Sequence, residues 1–152
     1  MAEWRRDDGY VVTDDTARID REFVWHWLAH ESYWAQGRTR EVMDRAIDGS
    51  LCFALFAPDG SPAGFCRQVT DRATFAFLSD VFVIDEHRGS GAGTWMVRVA
   101  IEHPDIAGVR QQTLRTQDAH GLYAKFGYRG INPDELPTWM VRYPFESPHP
   151  RT

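Results

Sequence analysis

Apolar residues recur along this chain with two different spacings, and the change of spacing marks out its elements. Between residues 20 and 31 they lie three and four apart, which predicts an amphipathic helix. A second helix is indicated after Thr39, which can cap its first turn, and Gly49 marks its end. The predicted apolar stripes are Ile19, Phe23, Val24, Trp27 and Leu28 in the first helix and Val42, Met43, Ala46 and Ile47 in the second.

Short apolar runs bounded by turn residues predict strands on either side of these helices. A first strand is expected at Tyr10–Thr13. Leu51–Ala57 and Ala63–Thr70 flank the turn signal Pro58-Asp59-Gly60-Ser61 and predict a hairpin. Thr74–Ile84 is apolar along nearly its whole length, so we expect it to be buried on both faces, in the interior of a sheet.

The second half of the chain alternates helical and extended patterns. The hairpin-rich start and this β-α-β-α end predict an α/β fold of mixed type, with a central mixed sheet of about six to seven strands and helices on both faces. The elements expected here are a helix ending near Glu102 before Pro104, a strand at Arg110–Thr116, a helix from its cap Asp118 to Phe126, closed by Gly127, and two last strands at Tyr128–Ile131 and Trp139–Tyr143.

Length and composition fit one globular domain over residues 1–152. The chain is 43% hydrophobic and 26% charged, and its 152 residues are enough to bury a core. The net charge of −5 argues against nucleic acid as a partner, because phosphate binding relies on an excess of Lys and Arg. The polar, Pro-rich end of the chain, ESPHPRT, is expected to be frayed.

Targeting signals and metal motifs are not evident in the sequence. No apolar run approaches the roughly 20 residues of a membrane span, and the N-terminus lacks the apolar segment of a signal peptide. We therefore expect a cytoplasmic protein with no membrane partner. Cys52 and Cys66 lie inside apolar strands without CxxC spacing, which predicts buried thiols and no metal site.

The sharpest local signal is a glycine-rich loop between the long buried strand and the helix after it, Arg88-Gly89-Ser90-Gly91-Ala92-Gly93. Glycines let the backbone approach a ligand closely, and the N-terminus of the following helix favours an anion such as pyrophosphate. The loop lacks the Gly-Lys-Ser/Thr ending of a Walker A motif and the G-x-G-x-x-G spacing of dinucleotide-binding folds.

Two stretches resemble the motifs of the GNAT acetyltransferases. Residues 81–93 resemble motif A, written Arg/Gln-x-x-Gly-x-Gly/Ala after an apolar strand, with Arg88, Gly91 and Gly93 at its defined positions. Residues 116–128 resemble motif B, with its helical tyrosine and its Phe-Gly-Tyr ending. The two matches occur in the family's order, and the resemblance implies the acyl-CoA N-acyltransferase fold.

The resemblance also implies a site for acetyl-CoA, the acyl-donor co-substrate. In the family the pyrophosphate lies on the motif A backbone, and the pantetheine arm pairs with the strand before it, in a gap opened by a bulge. An amide of that strand, Val81 or Phe82 here, would stabilise the acyl oxygen. The cofactor-binding residues so implied are Val81, Phe82, Val83, Arg88, Gly89, Ser90, Gly91, Ala92 and Gly93.

Two residues are candidates for proton transfer. Tyr123 matches the family's tyrosine that protonates the departing thiolate; from its position alone it would be a core aromatic. Asp80 is a lone carboxylate in an apolar strand, so it is a candidate base, a candidate binding group for a cationic substrate, or part of a structural hydrogen bond or ion pair. Glu31, His26 and His30 are alternative bases, although each is more typical of a solvated side chain, as are His87 and His120.

The first two helices and their connection set acceptor specificity in the family. Trp27, Tyr33 and Trp34 are the candidate substrate-binding residues, and aromatic walls would suit a small amine. The sequence thus predicts an N-acetyltransferase acting on a primary amine of a small molecule or peptide. It leaves open a non-catalytic acyl-CoA sensor, a different acyl group or acceptor, a binding module without a CoA site, and a homodimer.

Overall fold

The computed structural model describes residues 1–145, so the frayed end expected at residues 146–152 lies outside the described residues. Six strands form one sheet, ordered in space as they are along the chain. The first four pairings are antiparallel and the last one is parallel. The strands are β1 (Glu3–Arg5), β2 (Val11–Thr13), β3 (Leu51–Phe56), β4 (Pro62–Thr70), β5 (Phe75–Val83) and β6 (Gln111–Leu114).

The helices begin where the sequence offers a capping side chain. The Asp20 carboxylate accepts a hydrogen bond from the Phe23 N–H at 3.0 Å, and the Thr39 hydroxyl accepts one from the Val42 N–H at 3.2 Å. Gly49 caps the end of the second helix. The helices are α1 (Arg21–His30), α2 (Arg40–Asp48), α3 (Ala92–Glu102), α4 (Pro104–Ala107) and α5 (His120–Ala124).

Helices cover both faces of the sheet, as predicted, and each face has its own core. Successive residues of β3 show why: Phe53 is buried in the core under α3, whereas its neighbours Cys52 and Ala54 are buried under α1 and α2. Because β3 is apolar throughout, it can supply both cores. Cys52 and Cys66 are both buried, as expected, and burial raises the pKa of Cys52 to about 12.

Two irregularities in β5 open the sheet beside the glycine-rich loop. The pairing of β4 with β5 shifts register between Phe65 and Arg67, which leaves one extra residue in β5, and Asp80 there has a φ of 54°. The parallel pairing of β5 with β6 ends at Leu78 and Leu114. Beyond this point β5 continues to Val83 with no partner strand on that side within residues 1–145, so a gap opens between the strands.

The structure differs from the sequence-based expectations in three places. The strand β1 was not foreseen, because only Trp4 between charged residues signals it. The helix α5 is shorter than expected, and the Thr116 hydroxyl, not Asp118, accepts the hydrogen bond of the Ala119 N–H. Tyr128–Ile131 and Trp139–Tyr143 form no strands, so the described part of the sheet has six.

The segment after Gly127 folds on itself instead of joining the sheet. Glu135 pairs with Arg129 at 2.8 Å and accepts a hydrogen bond from the Asn132 N–H at 3.1 Å. Pro133 and Pro137 have no N–H to offer a neighbouring strand. No helix in residues 1–145 is long and apolar enough to cross a membrane.

Candidate active site

A cleft of about 660 Å³ runs from the glycine-rich loop to the gap beside β5. Its floor is the end of β5, and its sides are the start of α3, the connection after α1 and the helix α5. Most of the expected site residues line it: Val81, Phe82, Val83, Arg88, Gly89, Gly91, Gly93, Trp27, Tyr33, Trp34 and Tyr123. The expected residues Ser90, Ala92 and Asp80 are not part of its lining. The fold therefore brings the expected donor, acid and aromatic residues to one place.

The glycines of the loop meet two different requirements. Gly89 and Gly91 have φ angles of 82° and 78°, which only glycine adopts readily. At Gly93 a Cβ atom would lie 2.9 Å from the Cγ2 atom of Val83, so a side chain there would push α3 away from β5. The loop is thus held close to the strand while its backbone stays open.

The start of α3 is suited to an anion. Its N-cap is Gly91, which has no side chain to satisfy the first amides. The Ser90 hydroxyl donates to the His87 carbonyl at 2.9 Å and accepts from the Ala92 N–H at 3.3 Å. Arg88 is largely exposed, with Nε on the Val83 carbonyl at 3.0 Å and Nη1 on the exposed Asp85 carboxylate at 2.7 Å. Open amides, a helix N-terminus and a guanidinium fit the pyrophosphate of an acyl-CoA.

Residues of the N-terminal segment support this loop, and the sequence did not predict these contacts. Arg6 donates from Nη2 to the Ser90 carbonyl at 3.0 Å and lies over the rings of Tyr10 and Trp95. The Tyr10 hydroxyl is hydrogen-bonded to Nδ1 of His87 at 2.7 Å. No sequence signal marks Arg6, because its partner lies 84 positions along the chain.

The end of β5 presents main-chain groups to the gap that no strand of residues 1–145 pairs with, although the Val83 carbonyl accepts from Arg88. The Ile84 N–H donates to the Ala63 carbonyl of the β4 side at 2.9 Å. Because main-chain groups alternate sides along a strand, Phe82 also faces β4, whereas Val81 and Val83 face the gap. Of the two amides considered for the acyl oxygen, the Val81 amide is therefore the better placed.

Tyr123 lies where α5 meets the cleft. It is 8% exposed and packs against Tyr128 with ring centroids 6.2 Å apart. Burial raises the pKa of its phenol above the ordinary value, so the hydroxyl stays protonated at neutral pH. A protonated phenol at the wall of the cleft can donate a proton to a leaving group.

Asp80 forms a buried ion cluster. Its Oδ2 atom accepts from Nη1 of Arg38 at 2.7 Å and from Nε of Arg67 at 2.6 Å, and its Oδ1 atom accepts from the Trp34 indole at 3.0 Å. Burial alone would raise the pKa of Asp80, but the two guanidinium groups outweigh it and hold the pKa below its usual range. These contacts favour the structural ion pair over the base.

Aromatic rings form the wall of the cleft opposite the loop. Trp27 stacks on Phe82 with centroids 4.2 Å apart and an angle of 3° between the rings. The ring centroid of Trp34 lies 5.9 Å from that of Trp27 and 5.0 Å from that of Tyr33. All three rings are half-buried, so they fill the core on one side and face the cleft on the other.

The other candidate bases are distributed unevenly. Glu31 lines the cleft, and so does His87, which is bonded to Tyr10. His26 and His30 instead pack together on the exposed side of α1, with ring centroids 4.7 Å apart. His120 is exposed at the start of α5. Asp118, which sequence reasoning assigned to capping, is a further carboxylate on the cleft.

A second, smaller cavity of about 300 Å³ lies between the diverging ends of β5 and β6. It shares Tyr33, Trp34, Val81, Asp118, Ala119 and Tyr123 with the cleft, so the two spaces meet at Tyr123. A larger hollow of about 710 Å³ runs along the outer edge of β6, and it includes none of the expected site residues.

Known proteins share this fold and this sequence pattern. A provisionally assigned GNAT-family acetyltransferase from Xanthomonas campestris pv. campestris has a crystal structure with 40% identity and a TM-score of 0.83, covering 88% of this chain and 92% of its own. A provisionally assigned acetyltransferase of Gibberella zeae is 28% identical, over 80% of this chain and 79% of its own. A Mycobacterium tuberculosis protein crystallised with CoA shares the fold, at 13% identity and a TM-score of 0.63, over 84% of this chain and 79% of its own.

The match to the family as a whole covers most of the chain. The sequence profile of the acetyltransferase (GNAT) family matches residues 19–128. This span runs from the start of α1 to the end of the motif B resemblance and contains the loop, the gap and Tyr123. The chain belongs to the GNAT family of acetyltransferases.

Proposed function

We propose that this protein transfers the acetyl group of acetyl-CoA to a primary amine of a small molecule or peptide by direct attack. The observation that carries the proposal is the position of Tyr123, at the junction between the cleft from the glycine-rich loop and the cavity between β5 and β6. One space can hold a donor and the other an acceptor, and a proton donor lies where they meet.

Donor binding would use mainly backbone groups. The loop amides other than the Ala92 N–H, which donates to Ser90, suit the pyrophosphate together with the exposed Arg88. The gap-facing groups of Val81 and the Val83 N–H suit an extended amide chain beside β5. Acetyl-CoA supplies an activated thioester when bound. The Val81 amide would donate a hydrogen bond to its acyl oxygen.

The proposed reaction is balanced without a further reagent. The neutral amine nitrogen forms the new C–N bond, the C–S bond breaks, and the sulfur leaves with the bonding electrons. Tyr123 donates its phenolic proton to that sulfur, and the proton lost by the amine restores the phenol through solvent. The products are an acetamide and free CoA.

The proton of the incoming ammonium needs an acceptor other than Asp80. Both oxygens of Asp80 are occupied by Arg38, Arg67 and Trp34. Glu31 and Asp118 are exposed carboxylates on the cleft, and Asp118 also lines the smaller cavity. We assign Asp80 a positioning role and expect the proton to leave through Asp118, Glu31 or water.

Thermal melting with and without acetyl-CoA tests the donor site. A ligand that binds only the folded state raises the midpoint, by an amount that grows with ligand concentration. The wild type should therefore melt at a higher temperature with acetyl-CoA, and a Gly91→Glu variant should not respond, because its side chain and charge occupy the anion position. No rise in the wild type would contradict the proposal.

A matched control separates loss of the site from loss of stability. Gly60 also has a positive φ, 86°, with open space around its Cβ position, and it lies in the turn between β3 and β4. Gly60→Glu therefore adds the same charge and similar backbone strain outside the cleft. This variant should melt earlier than the wild type yet keep its full response to acetyl-CoA. A response without turnover of any amine would instead support an acyl-CoA sensor.

A further inference from the structure

The smaller cavity has the dimensions and position of an acceptor site. It measures about 300 Å³ and reaches Tyr123 from between β5 and β6, whereas the glycine-rich loop borders only the larger cleft. Pockets for small ligands begin at about this volume. A small molecule therefore suits this space better than a folded protein substrate.

The ion cluster of Arg38, Arg67 and Asp80 beside this cavity is not balanced in charge. A single carboxylate, Asp80, faces two guanidinium groups, Arg38 and Arg67, within hydrogen-bonding distance. The Asp80 side chain is fully buried, and the side chains of Arg38 and Arg67 are 19% and 13% exposed. The cluster thus carries one surplus positive charge in a poorly solvated position. Such a charge is costly unless an anion or water compensates it.

Arg38 is the member of the cluster that can meet a ligand. It lines the cavity, whereas Arg67 is directed away from it to the Ser50 hydroxyl at 3.0 Å. Within residues 1–145, the hydrogen bonds of the Arg38 side chain all use Nη1, to Asp80 and to the Met43 sulfur. A guanidinium has five N–H donors in a planar fork, so Nη2 and Nε are left for an acid group.

The backbone holds Arg38 in place from several directions. Asp80 occupies the bulge of β5 with a φ of 54°, a conformation that a non-glycine residue keeps only when its surroundings enforce it. Its Oδ1 atom binds Trp34, which lines the same cavity, and the Arg38 carbonyl accepts the Trp25 indole N–H at 2.7 Å. The guanidinium is therefore positioned before any ligand arrives, which lowers the entropy cost of binding.

A negatively charged side chain lies on another wall of the smaller cavity. Asp118 lines both the smaller cavity and the larger cleft, beside α5 and Tyr123. Its carboxylate can attract an ammonium group toward the junction where the donor thioester would lie. The cavity thus offers the guanidinium groups of Arg38 and of the exposed Arg115 and the carboxylate of Asp118, with the rings of Tyr33 and Trp34 also in its walls.

We propose that the acceptor is a small amine that also carries an acid group, a carboxylate or a phosphate, and that Arg38 binds this acid group. The inference rests on the proposed acetyltransferase function and narrows its substrate class. Arg38 determines specificity, Asp80 positions Arg38, and Asp118 directs the amine toward the thioester.

Matched substrate pairs test the proposal on the wild-type protein. Glycine, β-alanine, 4-aminobutanoate and the common L-amino acids are each compared with their carboxamides, and O-phosphoethanolamine with ethanolamine, by the rate of CoA release. At least one acid-bearing compound should exceed its neutral partner by about tenfold or more in kcat/KM, the size of one charge-assisted hydrogen bond. Neutral partners that react as well throughout would overturn the proposal. The carboxylate pairs and the phosphate pair, compared with each other, show which acid group the site prefers.

The variant Arg38→Gln assigns the preference to this residue. It should raise KM for the acid-bearing compound by about tenfold or more, leave the neutral partner nearly unchanged, and so erase the difference within the pair. Arg38→Lys keeps the charge and should retain part of the preference. Arg45 lies at an exposed position on α2, so Arg45→Gln removes the same charge elsewhere. This variant should change the KM of neither compound. A preference that survives Arg38→Gln would overturn the assignment.

Acetyl-CoA binding distinguishes a failure of the acetyltransferase function from a failure of the acceptor class alone. If acetyl-CoA fails to raise the melting midpoint of the wild type, the acetyltransferase function fails and the acceptor class with it. If it raises the midpoint but no acid-bearing amine is preferred, only the acceptor class is overturned. Since the pair comparison uses the wild type, it holds even if Arg38→Gln proves too unstable to assay.

Discussion

Two tyrosines in similar surroundings show how position gives a residue its role. Tyr123 lines both cavities, whereas the hydroxyl of Tyr128 is buried without a hydrogen-bond partner in residues 1–145. Burial raises the pKa of both phenols, that of Tyr128 to about 12. Only the phenol of Tyr123 can reach a substrate, so the two hydroxyls should differ in function although the rings touch.

Removing each hydroxyl separately tests this distinction. Tyr123→Phe should lower kcat by about 100-fold, the usual contribution of a general acid, with little change in acetyl-CoA binding. Tyr128→Phe deletes a hydroxyl without a partner and should leave kcat unchanged and stability equal or slightly higher. Equal kcat values for the two variants in CoA-release assays would exclude Tyr123 as the acid.

The pH profile gives a second check on Tyr123. Because its pKa is raised, the phenol stays protonated to a higher pH than a free tyrosine, whose pKa is about 10. The wild-type rate should therefore rise as the amine loses its proton and should not decline below about pH 10 through loss of this acid. A decline near neutrality that Tyr123→Phe removes would contradict the assignment.

At the scale of elements, the close contact between α3 and β5 keeps the donor loop in place. Gly93→Ala should lower the free energy of unfolding by about 1–3 kcal/mol, because its Cβ atom would meet Val83 at 2.9 Å. The same shift should weaken acetyl-CoA binding. Gly108→Ala adds a Cβ atom in open space and should change stability by less than about 0.5 kcal/mol. Denaturant unfolding of both variants measures the difference.

Sequence patterns predicted most elements because those depend on local periodicity and caps. The helix stripes, the capping of α2 by Thr39 and the strand–loop–helix unit around Gly91 were all evident in the chain. The last two predicted strands were wrong because an apolar run forms a strand only with a partner. The Arg129–Glu135 pair and the proline residues turn that segment back on itself.

The candidate site was predictable only where one short segment contributes it. The donor loop and Tyr123 lie in motifs, and the structure brings them together. The partners of Asp80 come from positions 38 and 67, on different elements, and Arg6 reaches the loop from β1's end. Such contacts depend on how the elements pack, so no local sequence pattern predicts them.

At the scale of the whole molecule, buried carboxylates link stability to pH. Burial alone would raise the pKa values of Asp80 and Asp14, but the arginines at Asp80, and at Asp14 the Ala2 amide and His103, lower both. A lowered folded-state pKa gives stability that is present above the unfolded-state value, about 4, and is lost as pH falls through the folded-state value. The protein should therefore unfold more easily in acid.

An Asp80→Asn variant isolates one part of this dependence. It leaves two buried guanidinium groups without their carboxylate and should cost about 3–5 kcal/mol of unfolding free energy at pH 7. Its stability should then fall less steeply than that of the wild type between about pH 5 and pH 2. Parallel slopes in urea unfolding across this range would show that Asp80 contributes nothing to the acid response.

The parting of β5 from β6 has a kinetic consequence. Two ligands that reach Tyr123 from different openings need not displace one another, so both can be bound before any bond changes. Double-reciprocal plots of the initial rate against the amine concentration, taken at several fixed concentrations of acetyl-CoA, should then intersect rather than run parallel. The acetylated product should compete with the free amine for its opening but not with acetyl-CoA. Under the proposed function, the gap in the sheet would thus allow both substrates to be bound before the acetyl group is transferred.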